Sequence, residues 1–213
     1  MPPYKTPLRL RIAQETARLL ATHQASDFLA AKQKAARNLG ARQDADLPSH
    51  REIEAAFIEY QSLFQADQYH KILHQLRQSA VNAMQFLQSF EPRLTGAVLH
   101  GSVQAHQTIE LHLFTETPEA VGFLLDEHRI PFQLKEQRLP LSKANTKAAQ
   151  PTGRFPCYCL LADNVPFELV VFPMDGLRQA PLNSHTQKPM LRANLKTVLA
   201  LLESSAASNT NTY

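Results

Sequence analysis

Ile109-Glu110-Leu111-His112-Leu113-Phe114 alternates apolar and polar residues, and it reads as a β-strand. Successive side chains of a strand point to opposite faces. Ile109, Leu111 and Leu113 therefore face one way, and Glu110, His112 and Phe114 the other. Upstream, the short apolar run 96–100 is expected to be a buried strand, followed by the turn Gly101-Ser102. Downstream, Thr117-Pro118 opens a helix to about His128, since proline is tolerated in a first helical turn. Further strands are predicted over 131–138, 155–161 and 167–172. The stretch 143–153 reads as an extended, mobile loop. A last helix is predicted over about 189–203, and the small, polar tail 204–213 is expected to be disordered.

The residues before this region repeat a helical period instead. Leu8, Ile12, Leu19 and Leu20 form one stripe, with Ala13, Ala17 and Ala21 beside it. Ser26 is placed to cap a second helix, which stops near Gly40. Ser49-His50-Arg51-Glu52 has the spacing of a capping box, and Ile53, Phe57, Tyr60 and Phe64 follow it at helical intervals. A long helix over about 67–90 carries Ile72, Leu73, Leu76, Ala80, Met84 and Leu87, and Pro92 closes it. The expected fold class is thus α+β: a helical N-terminal region over 1–92, then a mixed sheet with flanking helices over 93–203.

Composition narrows the function. A chain of 213 residues with 44% hydrophobic and 19% charged residues can bury a core. A formal net charge of +3 excludes a protein that coats polyanions through its overall charge. No apolar run approaches the roughly 20 residues needed to cross a bilayer, and the start Met-Pro-Pro-Tyr-Lys lacks a signal-peptide pattern. Cys157 and Cys159 are too close in sequence for an ordinary stapling disulfide, which points to a reducing, cytoplasmic setting. They face the same side of their strand and read as buried structural cysteines. No P-loop, dinucleotide-binding glycine turn or nucleophile elbow is present.

A strand, a Gly-Ser turn, a strand with alternating polar positions and a later strand bearing one acid follow one another in this order. The order resembles the nucleotidyltransferase superfamily. The resemblance covers roughly residues 93–175 and implies a nucleotidyltransferase-like sheet. In that family the turn holds nucleotide phosphates, and three acids bind two magnesium ions that serve phosphoryl transfer. Carried over, Gly101 and Ser102 match the turn, Glu110 the first acid and Glu168 the third. His112 stands where the second acid belongs, the first acid is usually Asp, and the interval from Ser102 to Glu110 is shorter than usual. Imidazole is a poor magnesium ligand but a good one for zinc, manganese or iron. Glu110, His112 and Glu168 are thus the candidate ligands of a divalent metal (Mg, Mn or Zn), with His100 or His106 as further donors. A nucleoside triphosphate is the implied ligand.

Other segments, namely Ala31-Lys32-Gln33-Lys34-Ala35-Ala36-Arg37, Tyr60-Gln61-Ser62-Leu63-Phe64, Phe90-Glu91-Pro92-Arg93-Leu94 and Pro189-Met190-Leu191-Arg192-Ala193, resemble a family of small uncharacterised bacterial proteins. That second resemblance implies the same two-part architecture and carries no activity with it.

Arg129, Lys135, Arg138, Lys143, Lys147 and Arg154 lie close together with a single acid, Glu136. Such a segment can meet the phosphates of a nucleotide or a nucleic acid, and Arg138 and Lys143 join the candidate ligand-binding residues. No aromatic-rich strand accompanies it for base stacking. His70 and His74 stand one helical turn apart, but Lys71 follows the first and would repel a cation.

Two functions follow. In the first, the pocket is catalytically silent and binds a nucleotide, another phosphate-bearing ligand, an RNA or a protein. In the second, Glu110 and Glu168 are catalytic in an active metal-dependent enzyme, with His112 assisting. The acid count, one carboxylate short, favours binding.

Overall fold

The computed structural model describes residues 7–22, 24–25, 27–41, 46–104, 107–141, 152–184 and 186–209. Two compact units divide at His70 and Lys71, within one helix. Among the described residues no helix is long and apolar enough to cross a membrane.

Met1–His70 is built on three helices, α1 (Leu8–Ala21), α2 (Phe28–Asn38) and α3 (His50–Phe64). Their stripes meet as the periodicity predicts: Ile12, Ala17, Leu19, Ala31, Ala35, Ile53 and Phe57 are buried in one cluster. Asp27 caps α2 by accepting the Ala30 amide at 2.8 Å; Ser26 lies outside the described residues. Gly40, just past the end of α2, takes the left-handed conformation (φ 71°). The capping box of α3 is complete, with Ser49 accepting the Glu52 amide and Glu52 accepting the Ser49 amide.

The second unit begins within α4 (Ala66–Phe86), which a short turn at Gln88–Phe90 extends. There follow β1 (Arg93–Thr95), α5 (Gly96–His100), β2 (Ile109–Phe114), α6 (Glu119–Glu127), β3 (Phe132–Pro140), β4 (Thr152–Ala162), β5 (Val165–Phe172) and α7 (Leu195–Asn209). The five strands make a mixed sheet in the order β1-β2-β5-β4-β3, with β2 and β5 parallel and the other pairs antiparallel. The α+β class expected from the sequence is therefore present.

The structure departs from expectation at 96–100 and at the last helix. Residues 96–100 form a short helix, not a strand. Gly96 turns the chain out of β1 at φ 70°, and Gly101 ends the helix at φ 88°. Buried Arg77 of α4 points its guanidinium at the carbonyls of Val98 and Leu99, 3.4 Å away, which satisfies the end of this helix. The last helix starts at Leu195, because 191–193 is extended: Leu94 and Ala193 exchange amide-to-carbonyl hydrogen bonds of 2.8 and 2.9 Å. That helix continues to Asn209, into the tail expected to be disordered.

Register sorts the sheet into two faces. One carries Leu111, Leu113, Leu169, Val171 and Tyr158, all buried. Between this face, α4 and α6 lies a cavity of about 210 Å³, lined by residues such as Phe86, Leu87, Leu125, Leu160 and Phe167. The opposite face carries the candidate acids, so this cavity is not their site.

Candidate functional site

Glu110 and Glu168 are direct partners in the register of the parallel strands β2 and β5. Parallel neighbours in register share a face, so the two carboxylates stand side by side. Continuing across the sheet, the same row holds Thr95, Glu110, Glu168, Cys159 and Gln133. The adjacent row holds Arg93, His112, Val170, Cys157 and Lys135.

The Glu110 carboxylate lies beneath the backbone at Gly96. A Cβ placed there would collide with Glu110 Oε1 and lie 2.7 Å from its Cδ. The positive φ favours glycine at this position, and any Cβ there would have to displace the Glu110 carboxylate. Burial, and after it the charge of Glu168, hold the Glu110 carboxyl above the usual carboxylate range.

His112 is 2% exposed and is held by Arg192. Arg192 Nε donates to His112 Nδ1 at 2.8 Å, and Arg192 Nη1 donates to the Gly176 carbonyl at 2.6 Å. Arginine has no acceptor, so Nδ1 is the bare nitrogen and the ring proton resides on Nε2. The guanidinium lies over the rings of Phe114 and Phe172, 5.0 and 4.9 Å from their centroids. Phe172 also contacts the His112 ring, centroid to centroid 4.6 Å. Burial, and then the charge of Arg192, push His112 down to about 3. Burial, with Arg93 adding to it, lowers Arg192 to about 10. The imidazole is thus neutral, and the position of the second acid is coupled to a fixed cation.

Gly101 and Ser102 follow α5 directly, and Ser102 is buried. His100 is exposed. His106, Lys143 and Lys147 lie outside the described residues. Arg138 is not brought to the acids. It pairs with Arg154 across the β3–β4 ladder, on the face opposite Glu110 and Glu168. Both arginines approach Glu136 Oε1, at 3.4 and 3.8 Å, with each side chain 65% exposed. The charge of this hairpin is partly matched within itself.

Among the described residues no three His, Cys, Asp or Glu side chains are grouped to hold a metal ion. A two-cation centre does not fit the donor set. It needs a third hard oxygen donor, and that position presents a buried imidazole whose Nδ1 already accepts from a guanidinium.

Sequence reasoning placed the acid pair but missed Arg192 and Gly96. One signal pointed to the arginine: an imidazole at a buried position of an alternating strand needs a hydrogen-bond partner. Nothing local named the residue that supplies it. The chain matches no protein-family model, no curated protein and no solved structure.

Proposed function

We propose that this chain is an atypical, non-catalytic nucleotidyltransferase-like protein that binds a nucleotide or another phosphate-bearing ligand beside the Gly101–Ser102 turn. The observation that carries the reading is the Arg192–His112 hydrogen bond. It puts a neutral ring and a fixed positive charge where the superfamily resemblance calls for a carboxylate. Among the described residues phosphoryl transfer by two metal ions has no donor set, whereas a cation held by the protein itself supports anion binding. The Gly101–Ser102 turn precedes β2, which supports this placement, although a short helix stands before it where the resemblance implies a strand.

The test is thermal melting of the purified chain with each nucleoside triphosphate, alone and with magnesium, manganese or zinc. A ligand at 100 times its dissociation constant adds about 2.7 kcal/mol, which appears as a raised Tm. The expected result is a shift with a nucleotide that is lost in Ser102→Ala and needs no metal, together with no turnover of the nucleotide. A shift that requires metal, accompanied by nucleotide turnover that Glu110→Gln abolishes, would make the chain an active enzyme. No shift with any nucleotide would remove the ligand from the reading.

A further inference from the structure

We propose that Cys157 and Cys159 form a binding site for a thiophilic monovalent cation of the Cu(I) type, on the sheet face that also carries the acid pair. Both cysteines are free thiols on β4, separated by one residue, and the alternation of the strand turns them to the same side. Their Sγ atoms are 3.9 Å apart. Cys157 is buried in a cluster with Phe114, Val170 and Phe172, and Cys159 packs partly buried against the same cluster.

The donor count selects the metal class. Structural zinc takes four ligands in a tetrahedron, and no third His, Cys, Asp or Glu joins the pair among the described residues. Soft thiolates select Cu(I), an ion for which two sulfurs suffice. The spacing also disfavours the competing fate of two thiols. Residues i and i+2 of a strand are about 6.6 Å apart at Cα, close to the upper limit for a disulfide. Closing 3.9 Å to a bonded S–S distance would distort the strand.

Binding releases two protons to solvent as each thiol becomes a coordinated thiolate, with no change of oxidation state. Burial, and after it Cys159 and Glu168, push the Cys157 thiol up to about 12, while Lys135 acts the other way. The apolar cluster therefore disfavours the bare Cys157 thiolate, which a thiophilic cation would stabilise. Of the charged groups facing the pair, Glu168 is in register with Cys159 and favours a cation. Lys135 is in register with Cys157 and offsets the charge of the dithiolate.

The experiment is an anaerobic titration of the reduced full chain with Cu(I) held by a chromophoric chelator. The expected result is withdrawal of one copper per chain and the appearance of thiolate-to-copper ultraviolet absorption. Cys159→Ser, at the less buried position, should lose both signals, and Ser49→Ala, in the first unit, should keep both. The assignment is overturned if the wild-type chain withdraws no copper. It is also overturned if folded Cys159→Ser withdraws it undiminished, or if the pair oxidises to a disulfide in preference to taking the metal. The nucleotide reading is tested separately at Ser102, so failure here leaves it untouched, and the converse holds.

Discussion

Arg192 Nε donates to His112 Nδ1 at 2.8 Å, joining residues 80 apart in sequence. The arginine reaches the ring because 191–193 runs along β1, where Leu94 and Ala193 exchange backbone hydrogen bonds and Thr95 Oγ1 donates to the Leu191 carbonyl. The bond satisfies an imidazole nitrogen that would otherwise be buried without a partner. It also couples the middle of β2 to the segment before α7.

The first prediction concerns this pair. A hydrogen bond involving a charged group contributes roughly 1.5–3 kcal/mol. A double-mutant cycle with Arg192→Met and His112→Leu, followed by urea unfolding, should return a coupling energy in that range. Simple additivity would mean that the bond does not hold the segment in place.

A second prediction follows from the protonation of the ring. His112 has a folded-state pKa of about 3, below the unfolded value of about 6.5. Above about pH 6.5 neither state carries the proton and the group is silent. As pH falls below that value the unfolded chain takes up a proton that the folded chain refuses, so stability is lost by roughly 1.4 kcal/mol per pH unit. Between about pH 7.5 and about pH 5 the wild type should therefore lose roughly 2 kcal/mol more than His112→Asn, whose amide oxygen still accepts from Arg192. Equal losses in the two proteins would show that the ring is not buried in its neutral form.

Much of this arrangement was legible in the sequence, for physical reasons that also explain the gaps. The alternation in 109–114 has one period that only a strand satisfies, and it put Glu110 and His112 on one face. Glu168 joined them because β5 pairs with β2 in parallel register. The run 96–100 was misread because five apolar residues are too few to distinguish a buried strand from a helical turn. What decides it is the pair of glycines with positive φ and the contact from Arg77, and the last lies far off in sequence. Arg192 was invisible for the same reason. Its role depends on a tertiary bridge between 94 and 193 that leaves no periodic trace.

Gly96 supplies the third prediction. Alanine there must adopt φ near +70° and must displace the Glu110 carboxylate. A non-glycine residue in the left-handed region costs about 1 kcal/mol, and the collision adds less, because the carboxylate is the far end of a flexible side chain. Gly96→Ala should lose about 1–2 kcal/mol in denaturant unfolding. Added to Glu110→Ala, which removes the colliding atoms, the same change should cost only about 1 kcal/mol. An unchanged cost in both backgrounds would mean that the close approach contributes nothing.

The capping box allows a fourth test within the first unit. Ser49 accepts the Glu52 amide, and Glu52 returns a bond to the Ser49 amide at 2.7 Å. Ser49→Ala should cost about 1 kcal/mol. Glu52→Gln tests the charge. Its hydrogen bonds from Arg9 first, then from Ser49, hold the carboxyl down to about 2. The stability it supplies is present above the unfolded value and is lost as pH falls from there toward about 2. Because Arg9 and Glu52 are both exposed, solvent screening limits that contribution to under about 1 kcal/mol. A larger loss in Glu52→Gln would show that the pair is more shielded than its exposure implies.

Glu110 gives a pH dependence of the opposite sign to that of His112. Its carboxyl is held above the usual range by burial and by Glu168. The folded chain therefore binds a proton that the unfolded chain releases, and stability falls as pH rises from the unfolded carboxyl value through the folded one. Ionising Glu110 in this buried place beside Glu168 carries a cost. Glu110→Gln keeps the shape of the side chain and removes the charge. It should raise Tm at about pH 7.5, and the gain should vanish as pH drops below the unfolded carboxyl value of about 4.3. If Glu110→Gln is instead less stable than wild type at neutral pH, the Glu110 carboxylate has a partner that outweighs Glu168.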